Sequence, residues 1–373
     1  MAKKSFIQEK YKLKESPFRE IIATEFLLKS WVDREAQVKE WNHVIQKAIK
    51  SKSNFIGFIV GDYGMGKTMS LLKILEDSKK HDEIFPIYLN FLGEQKPKNP
   101  GIDFIQKIFK SIDFQKLHIK KQKGFLIETS SEVKSIYQKI LYGEEDIRNL
   151  ALYFLRGEVK PNQSQLKKLE VVRKIDDIEV AKEYLTGFLC VLKSSGFSTL
   201  LLAVDEFEYL FSLVSKASQS IYLAALRGLY DLPIQTAKTE SIANILFFIA
   251  ISDDGRRRMQ EMEKREASIG GPIKPLMRRV QSESTLKALS KEDTGGLIEN
   301  RLRLNRITGR LERDPLIPFT KKFVRYVFRL TGGRPSDIIV RCDHVLDAGL
   351  EARVPRLTAD FAKEVFEKRG FPY

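Results

Sequence analysis

The stretch "FIGFIVGDYGMGKT", residues 55–68, constrains the fold of this chain more than any other. It opens with six residues that carry no polar side chain, which is typical of a parallel strand buried on both faces. The residues that follow the glycines have helical spacing at Met69, Leu72 and Leu75. A strand, a G-x-x-x-x-G-K-T turn that begins at Gly61, and a helix together match the phosphate-binding P-loop.

The chemistry of this loop predicts a nucleotide site. Glycines allow backbone N–H groups to close around phosphate oxygens, and the helix N-terminus adds a partial positive charge. Lys67 is suited to reach the β and γ phosphates, and the hydroxyl of Thr68 is suited to hold Mg²⁺. We therefore expect ATP and Mg²⁺ as cofactors; a glycine-rich turn without nucleotide is the alternative. The expected ATP-binding residues are Gly61, Asp62, Tyr63, Gly64, Met65, Gly66, Lys67, Thr68 and Met69.

A second motif, "LLLAVDEFE", points to hydrolysis as well as binding. Asp205 ends an apolar strand, where its carboxylate can hold Mg²⁺ through water. Glu206 follows at once, and a carboxylate there can orient and deprotonate the attacking water. An acidic surface turn is the alternative for this pair, but an all-apolar strand in a P-loop chain favours the catalytic interpretation.

Apolar runs of strand length alternate with helical patterns, which predicts a doubly wound α/β domain. The segment 101–196 is helical in pattern and far longer than a crossover needs, so we interpret it as a helical insertion. We expect a nucleotide-binding domain over 1–289, with an N-terminal segment at 1–32, and a helical lid domain over 290–373. The predicted strands are 54–60, 84–92, 198–208 and 244–254.

The net charge of +15 favours a nucleic-acid partner, although a basic proteome or a lysine-rich surface gives the same excess. An acid-free cluster in the insertion is the better candidate for phosphate contacts, and a basic patch around Arg301, Arg303 and Arg306 is its rival. Without a recognisable base-reading motif, we expect DNA binding without sequence preference. The acid-free cluster consists of Lys116, Lys120, Lys121 and Lys123.

Two further features concern the compartment. No run approaches the apolar length that crosses a bilayer, and the first residues lack the apolar core of a signal peptide. Cys190 and Cys342 lie far apart, which suits a reducing environment. We therefore expect a cytoplasmic protein with no membrane partner.

In this order, the motifs resemble those of the AAA+ ATPases, with "ILFFIAIS" in the place of the sensor-1 strand. The resemblance implies that Ser252, or else Asp253, is the polar sensor at the end of that strand. It also implies that Arg278 or Arg279 reaches the ATP of a neighbouring subunit. A homo-oligomer, as a ring or a filament, is therefore expected.

The segment "LTGGRPSDIIVRCDHVLDAG" resembles the lid of the origin-initiator and transposition-regulator clade. In that clade the sensor-2 arginine follows the proline, whereas here Ser336 and Asp337 stand there and Arg334 precedes the proline. Arg334 is the candidate sensor, and a solvated arginine at a helix start is the alternative.

The resemblance leaves three functions open. Initiators generally carry a winged-helix domain after the lid, and this sequence ends there at Tyr373, so we expect an ATPase that holds DNA through the AAA+ body or regulates a DNA-acting protein partner. The motif "LLLAVDE", which ends in Asp205 and Glu206, stands in the place of the Walker B motif, and the ATP-binding component of BREX anti-phage defence looks similar in its P-loop, Walker B motif and lid. A nucleotide-gated interaction switch with little turnover is the third possibility, and Glu206 argues against it.

Overall fold

The computed structural model describes residues 5–19, 24, 26–51, 53–91, 99–117, 129–212, 215–235, 241–266, 271–307 and 314–370. The chain forms two compact units. The first unit comprises Met1–Ala36, Gly61–Lys73 and Thr285–Tyr373, and the second comprises Gln37–Val60 and Ile74–Ser284. The P-loop thus belongs to the same unit as the N-terminal segment and the lid, while the domain division at residue 289 stays a prediction.

The second unit is built on a five-stranded sheet in the order β2-β3-β4-β1-β5. β1 pairs with β4, β4 with β3, and β3 with β2, all in parallel. Every residue of β1, β3 and β4 is buried, which explains the apolar runs that these strands contain. These findings confirm the four predicted strands and the α/β class. The strands are β1 (Phe55–Val60), β2 (Ile84–Asn90), β3 (Thr199–Asp205), β4 (Asn244–Ile251) and β5 (Val280–Thr285).

Helices precede, connect and follow these strands. α2 begins in the first unit and ends in the second. The helices are α1 (Glu35–Ser51), α2 (Lys67–Ser78), α3 (Pro100–Lys110), α4 (Ser131–Tyr142), α5 (Glu145–Arg156), α6 (Gln163–Leu169), α7 (Ile178–Ser194), α8 (Lys216–Gln235), α9 (Asp253–Glu266) and α10 (Ile273–Met277).

The expected insertion is helical, and it shares the hydrophobic core of the sheet. Phe188 of α7 lies edge-on to Phe85 of β2, with ring centroids 6.1 Å apart, and also edge-on to Phe109 of α3 at 6.4 Å. Asp177 caps α7 by accepting a hydrogen bond from the N–H of Glu179 (2.8 Å). The insertion therefore helps to build the second unit around the sheet.

The first unit has a helical core of its own, as expected for the lid region. Thr320 and Thr358 cap α12 and α14 through their hydroxyl oxygens, which is why these helices begin where they do. Tyr11 from the N-terminal segment is buried in this core and donates its hydroxyl hydrogen to the carbonyl oxygen of Val354 (2.6 Å). The helices are α11 (Lys291–Leu304), α12 (Lys321–Thr331), α13 (Pro335–Glu351) and α14 (Ala359–Arg369).

Candidate functional site

The P-loop backbone requires glycine at two positions. Gly64 has φ +78° and Gly66 has φ +92°, a left-handed region in which residues with a Cβ are strained. A Cβ at Gly64 would also collide with the hydroxyl of Ser336. The sequence pattern therefore reflects the backbone geometry of the loop.

The N-terminus of α2 carries the predicted phosphate ligands. Lys67, the first residue of the helix, is buried, and its Nζ donates a hydrogen bond to the carbonyl oxygen of Gly61 (3.1 Å). Thr68 and Met69 are half-buried beside it. A lysine held over a loop at a helix N-terminus is the arrangement that binds phosphates. Asp62 and Tyr63 lie at the outer side of the loop, and Tyr63 is 84% exposed.

Arg34 supports the P-loop from the N-terminal segment. It is 5% exposed, and its Nη2 donates to the carbonyl oxygens of Met65 (2.9 Å) and Lys287 (3.1 Å). Burial lowers the pKa of this guanidinium, and the carboxylates of Asp33 and Asp293 oppose that shift. Sequence reasoning missed this residue, because an arginine just before a helix is usually exposed.

The lid meets the P-loop at the start of α13. The backbone N–H of Ser336 donates to the carbonyl oxygen of Gly64 (3.2 Å). The Cδ of Arg334 would lie 3.7 Å from a Cβ placed at Gly64. Arg334 is also 4.0 Å from Asp337, and both side chains are partly exposed. The candidate sensor-2 arginine therefore lies beside the phosphate loop, although its role stays a prediction.

Asp205 lies at the carboxyl end of β3 with both carboxylate oxygens positioned. It is 2% exposed. Its Oδ2 accepts a hydrogen bond from the hydroxyl of Tyr88 (2.8 Å), and its Oδ1 accepts one from the N–H of Glu206 (2.9 Å). Burial and the neighbouring Asp205 carboxylate raise the pKa of Tyr88, which keeps its hydroxyl a donor. Tyr88 was not among the predicted site residues, since nothing in an apolar strand marks a tyrosine that reaches a neighbouring strand.

Glu206 occupies a strained backbone conformation. Its φ is +57°, a left-handed value that is uncommon outside glycine and concentrated at functional sites. A 3₁₀ turn, Phe207–Ser212, follows it, and Phe207 is buried. Glu206 is half-buried and lies between the end of a central strand and this turn.

Ser252 lies immediately after β4, as predicted for the sensor. Its Oγ accepts a hydrogen bond from the N–H of Gly255 (3.0 Å), and its carbonyl oxygen accepts one from Arg256 (2.8 Å). Ser252 therefore begins α9, while its hydroxyl hydrogen can still be donated to another acceptor. Asp253, the alternative sensor, is exposed.

The two candidate trans-acting arginines differ in their surroundings. Arg279 is held by Asp231 through a bidentate ion pair, with Nε–Oδ1 at 2.8 Å and Nη2–Oδ2 at 2.9 Å. Its Nη1 also donates to the carbonyl oxygen of Pro275 (2.6 Å). Arg278 is exposed at the end of α10. Of the two, Arg278 is the residue whose guanidinium can reach a second molecule.

The structure describes one of the four lysines in the predicted DNA-contact cluster of the insertion. Lys120, Lys121 and Lys123 lie outside the described residues. Lys116 is exposed, and its Nζ lies 3.7 Å from a carboxylate oxygen of Asp113. The acid-free character of the sequence segment therefore does not hold at Lys116, because an acid three residues earlier faces it.

The prediction of a rival DNA-contact patch around Arg301, Arg303 and Arg306 is wrong for two of these arginines. Arg301 is 4% exposed, and Arg306 donates to the carbonyl oxygens of Tyr11 (2.7 Å) and Ile317 (2.7 Å). Both arginines thus stabilise the first unit from within. Arg303 alone of the three is exposed. Sequence alone does not tell whether a long basic side chain points inward.

Two solved structures of other proteins are similar to this chain in fold. The ORC2 protein of Aeropyrum pernix in its ADP form aligns over 95% of this chain and 73% of its own, with a TM-score of 0.55 and 13% identity. The Cdc6p protein of Pyrobaculum aerophilum aligns over 95% and 71%, with a TM-score of 0.50 and 11% identity. This chain has the AAA+ fold. It resembles the initiator proteins of that class, with a helical C-terminal region after the α/β sheet, as predicted.

A sequence family matches part of this AAA+ chain. The family described as "BREX system ATP-binding protein BrxC/D" matches residues 103–257, which is less than half of the chain. The matched region contains most of the helical insertion, and also β3, Asp205, Glu206 and β4. No curated protein matches the sequence significantly. Among the helices that the structure describes, none is long and apolar enough to span a membrane.

Proposed function

We propose that this protein is a Mg²⁺-dependent AAA+ ATPase that assembles with ATP at subunit interfaces and acts on DNA or on a DNA-acting protein partner. One observation supports hydrolysis most directly. The buried Asp205 ends a central parallel strand and is followed by Glu206, in a chain whose P-loop presents Lys67 and Thr68 at a helix N-terminus. This combination supplies a phosphate cradle, oxygen ligands for a metal ion and a base.

The residues present fit Mg²⁺. Thr68 offers a hydroxyl oxygen, and the Asp205 carboxylate has unused lone pairs after its hydrogen bonds to Tyr88 and Glu206. Oxygen ligands of this kind are those that Mg²⁺ prefers. When bound, Mg²⁺ supplies positive charge against the β and γ phosphates.

We propose the following roles for the chain's own residues, which their positions support. Lys67 binds phosphate oxygens, and Glu206 orients a water molecule and accepts its proton. Ser252 contacts the reacting phosphate, and Arg334 brings the lid into the site. Arg278 completes the site of a neighbouring subunit, which makes turnover depend on assembly.

A role in BREX-type anti-phage defence is the second candidate function. It is supported by the family match, which runs across most of the helical insertion and through β3 and β4. The two settings are distinguished by the neighbouring genes: a methyltransferase and other defence genes favour BREX, whereas a transposase or replication factors favour the initiator and transposition setting.

Two substitutions test the ATPase proposal. Glu206→Gln should preserve ATP binding and lower the turnover number by about 10²-fold or more, because the general base is lost. Lys67→Ala should abolish tight ATP binding, because the cation over the phosphates is lost. Glu261→Gln, which neutralises an exposed acid on α9, is the matched control and should leave both quantities unchanged.

Two results would contradict the proposal. Normal hydrolysis by the Glu206→Gln protein would remove that residue from catalysis. Tight ATP binding by the wild-type protein without turnover, with and without DNA, would favour the nucleotide-gated switch.

A further inference from the structure

The outer face of α12 in the lid is entirely basic. Its exposed charged residues are Lys321, Lys322, Arg325 and Arg329. The opposite face of the helix buries Phe323, Val324 and Val327 in the core of the first unit. Three of the four cations follow one another at four-residue steps, so they form a row along the helix axis. We refer to these four residues as the α12 row.

Ion pairs do not neutralise the α12 row. Within the described part of the chain, none of its four side chains forms an ion pair or a side-chain hydrogen bond, and α12 itself contains no acidic residue. Asp314 is the acidic residue that interacts electrostatically with Lys321, but its carboxylate already forms an ion pair with Arg356, at 2.7 Å. On α9, in contrast, Asp254 pairs with both Arg257 and Arg258. Among the described helices, α12 alone carries four basic and no acidic side chains.

The start of α12 also departs from the usual charge pattern of helices. Lys321 and Lys322 occupy its first turn, where the partial positive charge of the helix N-terminus disfavours cations. The three other helices of the C-terminal region, α11, α13 and α14, have acidic residues in their first turn, as the helix dipole favours. An arrangement that lowers the stability of a helix without a compensating contact is a mark of a functional surface.

The length of the α12 row fits a nucleic-acid backbone. From Lys321 to Arg329 the helix rises about 12 Å, at about 1.5 Å per residue. One strand of a DNA duplex presents a phosphate about every 3.4 Å along its axis, so about three to four phosphates lie within that length. The four cations on this helix thus correspond in number to the phosphates that lie within the same length of one strand.

We propose that the α12 row binds the phosphate backbone of duplex DNA without reading its sequence. This inference rests on the DNA-directed part of the proposed function and not on ATP hydrolysis. Duplex DNA is favoured over a membrane because a helix that binds lipid must present an apolar face to it, whereas the apolar face of α12 is buried. It is favoured over a protein partner because the row offers charge alone, with no exposed large apolar side chain among its residues.

The salt dependence of DNA binding tests this inference. Binding of the full-length protein to a fluorescent duplex is measured by anisotropy at several salt concentrations, with the ATP-bound Glu206→Gln protein as a second background. Changing all four residues of the row to Gln should reduce the slope of log affinity against log salt by about 3.6, since each phosphate contact contributes about 0.9. All duplex sequences should lose affinity alike.

A matched variant controls for total charge. It changes four exposed lysines of the insertion region to Gln, namely Lys160, Lys167, Lys168 and Lys174. This variant removes the same charge and should keep the wild-type slope. If the fourfold α12 variant does not fold, as judged by its thermal midpoint and ATP binding, the pair Arg325→Gln and Arg329→Gln should flatten the slope by about 1.8.

Three results would overturn the inference. The first is an unchanged slope in the folded α12 variant, and the second is an equal or larger loss in the insertion control. The third is stronger binding of the wild-type protein to phosphatidylserine vesicles than to DNA, with the α12 row responsible. A wild-type protein that hydrolyses ATP but shows no salt-dependent DNA binding refutes the DNA surface while the ATPase assignment stands.

Discussion

Replacing Arg34 by methionine tests how the P-loop is held in place. The guanidinium is buried and joins the carbonyl oxygens of Met65 and Lys287 at 2.9 and 3.1 Å. Methionine keeps the length and apolar character of the stem and removes only the donors. A hydrogen bond from a charged group contributes about 1.5–3 kcal/mol. Because water can replace part of two such bonds, we expect the free energy of unfolding to fall by about 2–4 kcal/mol.

The same substitution should weaken ATP binding. The carbonyl of Met65 and the N–H of Gly66 belong to one planar trans peptide, so they point in opposite directions. By holding the Met65 oxygen, Arg34 fixes the direction of an N–H group that can bind phosphate. A loss of about 1.4–2.8 kcal/mol in this preorganisation corresponds to about a 10-fold to 100-fold weaker affinity for ATP.

Urea unfolding and ATP titration calorimetry measure these two effects. Arg34→Lys should give intermediate values, because an ammonium keeps the charge but lacks the planar fork. Arg303→Met, an exposed arginine of the same unit, is the control and should change the free energy of unfolding by less than about 0.5 kcal/mol. Lower stability with unchanged ATP affinity would refute the orientation of the P-loop by Arg34. If the free energy of unfolding were also unchanged, neither hydrogen bond of Arg34 would contribute to stability.

Two further predictions concern the Walker B aspartate and the trans-acting arginine. Tyr88→Phe removes the hydroxyl that positions Asp205, so the Mg²⁺ concentration for half-maximal hydrolysis should rise about fivefold to tenfold, while ATP affinity measured in EDTA stays unchanged. An unaltered Mg²⁺ titration would show that Asp205 needs no such positioning. Arg278→Ala should lower turnover but not ATP binding, and mixing this protein with the Glu206→Gln protein should restore some activity. Arg279→Ala should instead lower the thermal midpoint, because Arg279 forms an internal ion pair with Asp231. If Arg278→Ala hydrolyses ATP normally, the trans role belongs elsewhere.

The elements that sequence predicted best are those with both faces buried. Apart from Thr199, Asp205 and Asn244 at strand ends, β1, β3 and β4 consist of apolar residues, so their type and length could be read from the sequence. β5 was missed because "VQSEST" lies at the sheet edge, is largely exposed and has no apolar run. The glycines of the P-loop were likewise predictable, because a left-handed backbone leaves few other choices.

Long basic side chains were the least predictable part of the site. Hydrogen bonds to carbonyl oxygens that are distant in sequence hold the guanidinium groups of Arg34, Arg301 and Arg306. No local sequence pattern indicates such bonds. The α12 row did have a sequence signal, since "KKFVRYVFR" combines basic residues at four-residue steps with apolar residues between them and contains no acid. The sequence-based prediction favoured charge runs such as "KLHIKKQK" over this more regular pattern.

The hydrogen bonds of the P-loop explain why it belongs to the same compact unit as residues far away in sequence. The carbonyl oxygens of Gly64 and Met65 are acceptors, and such groups need donors where they are shielded from water. Ser336 from the lid satisfies the first, and Arg34 from the N-terminal segment satisfies the second. The conformation of the loop is therefore not encoded by its eight-residue motif alone. Two segments that lack any phosphate-binding pattern complete it, so we expect substitutions at Arg34 or Ser336 to weaken nucleotide binding through the conformation of the loop.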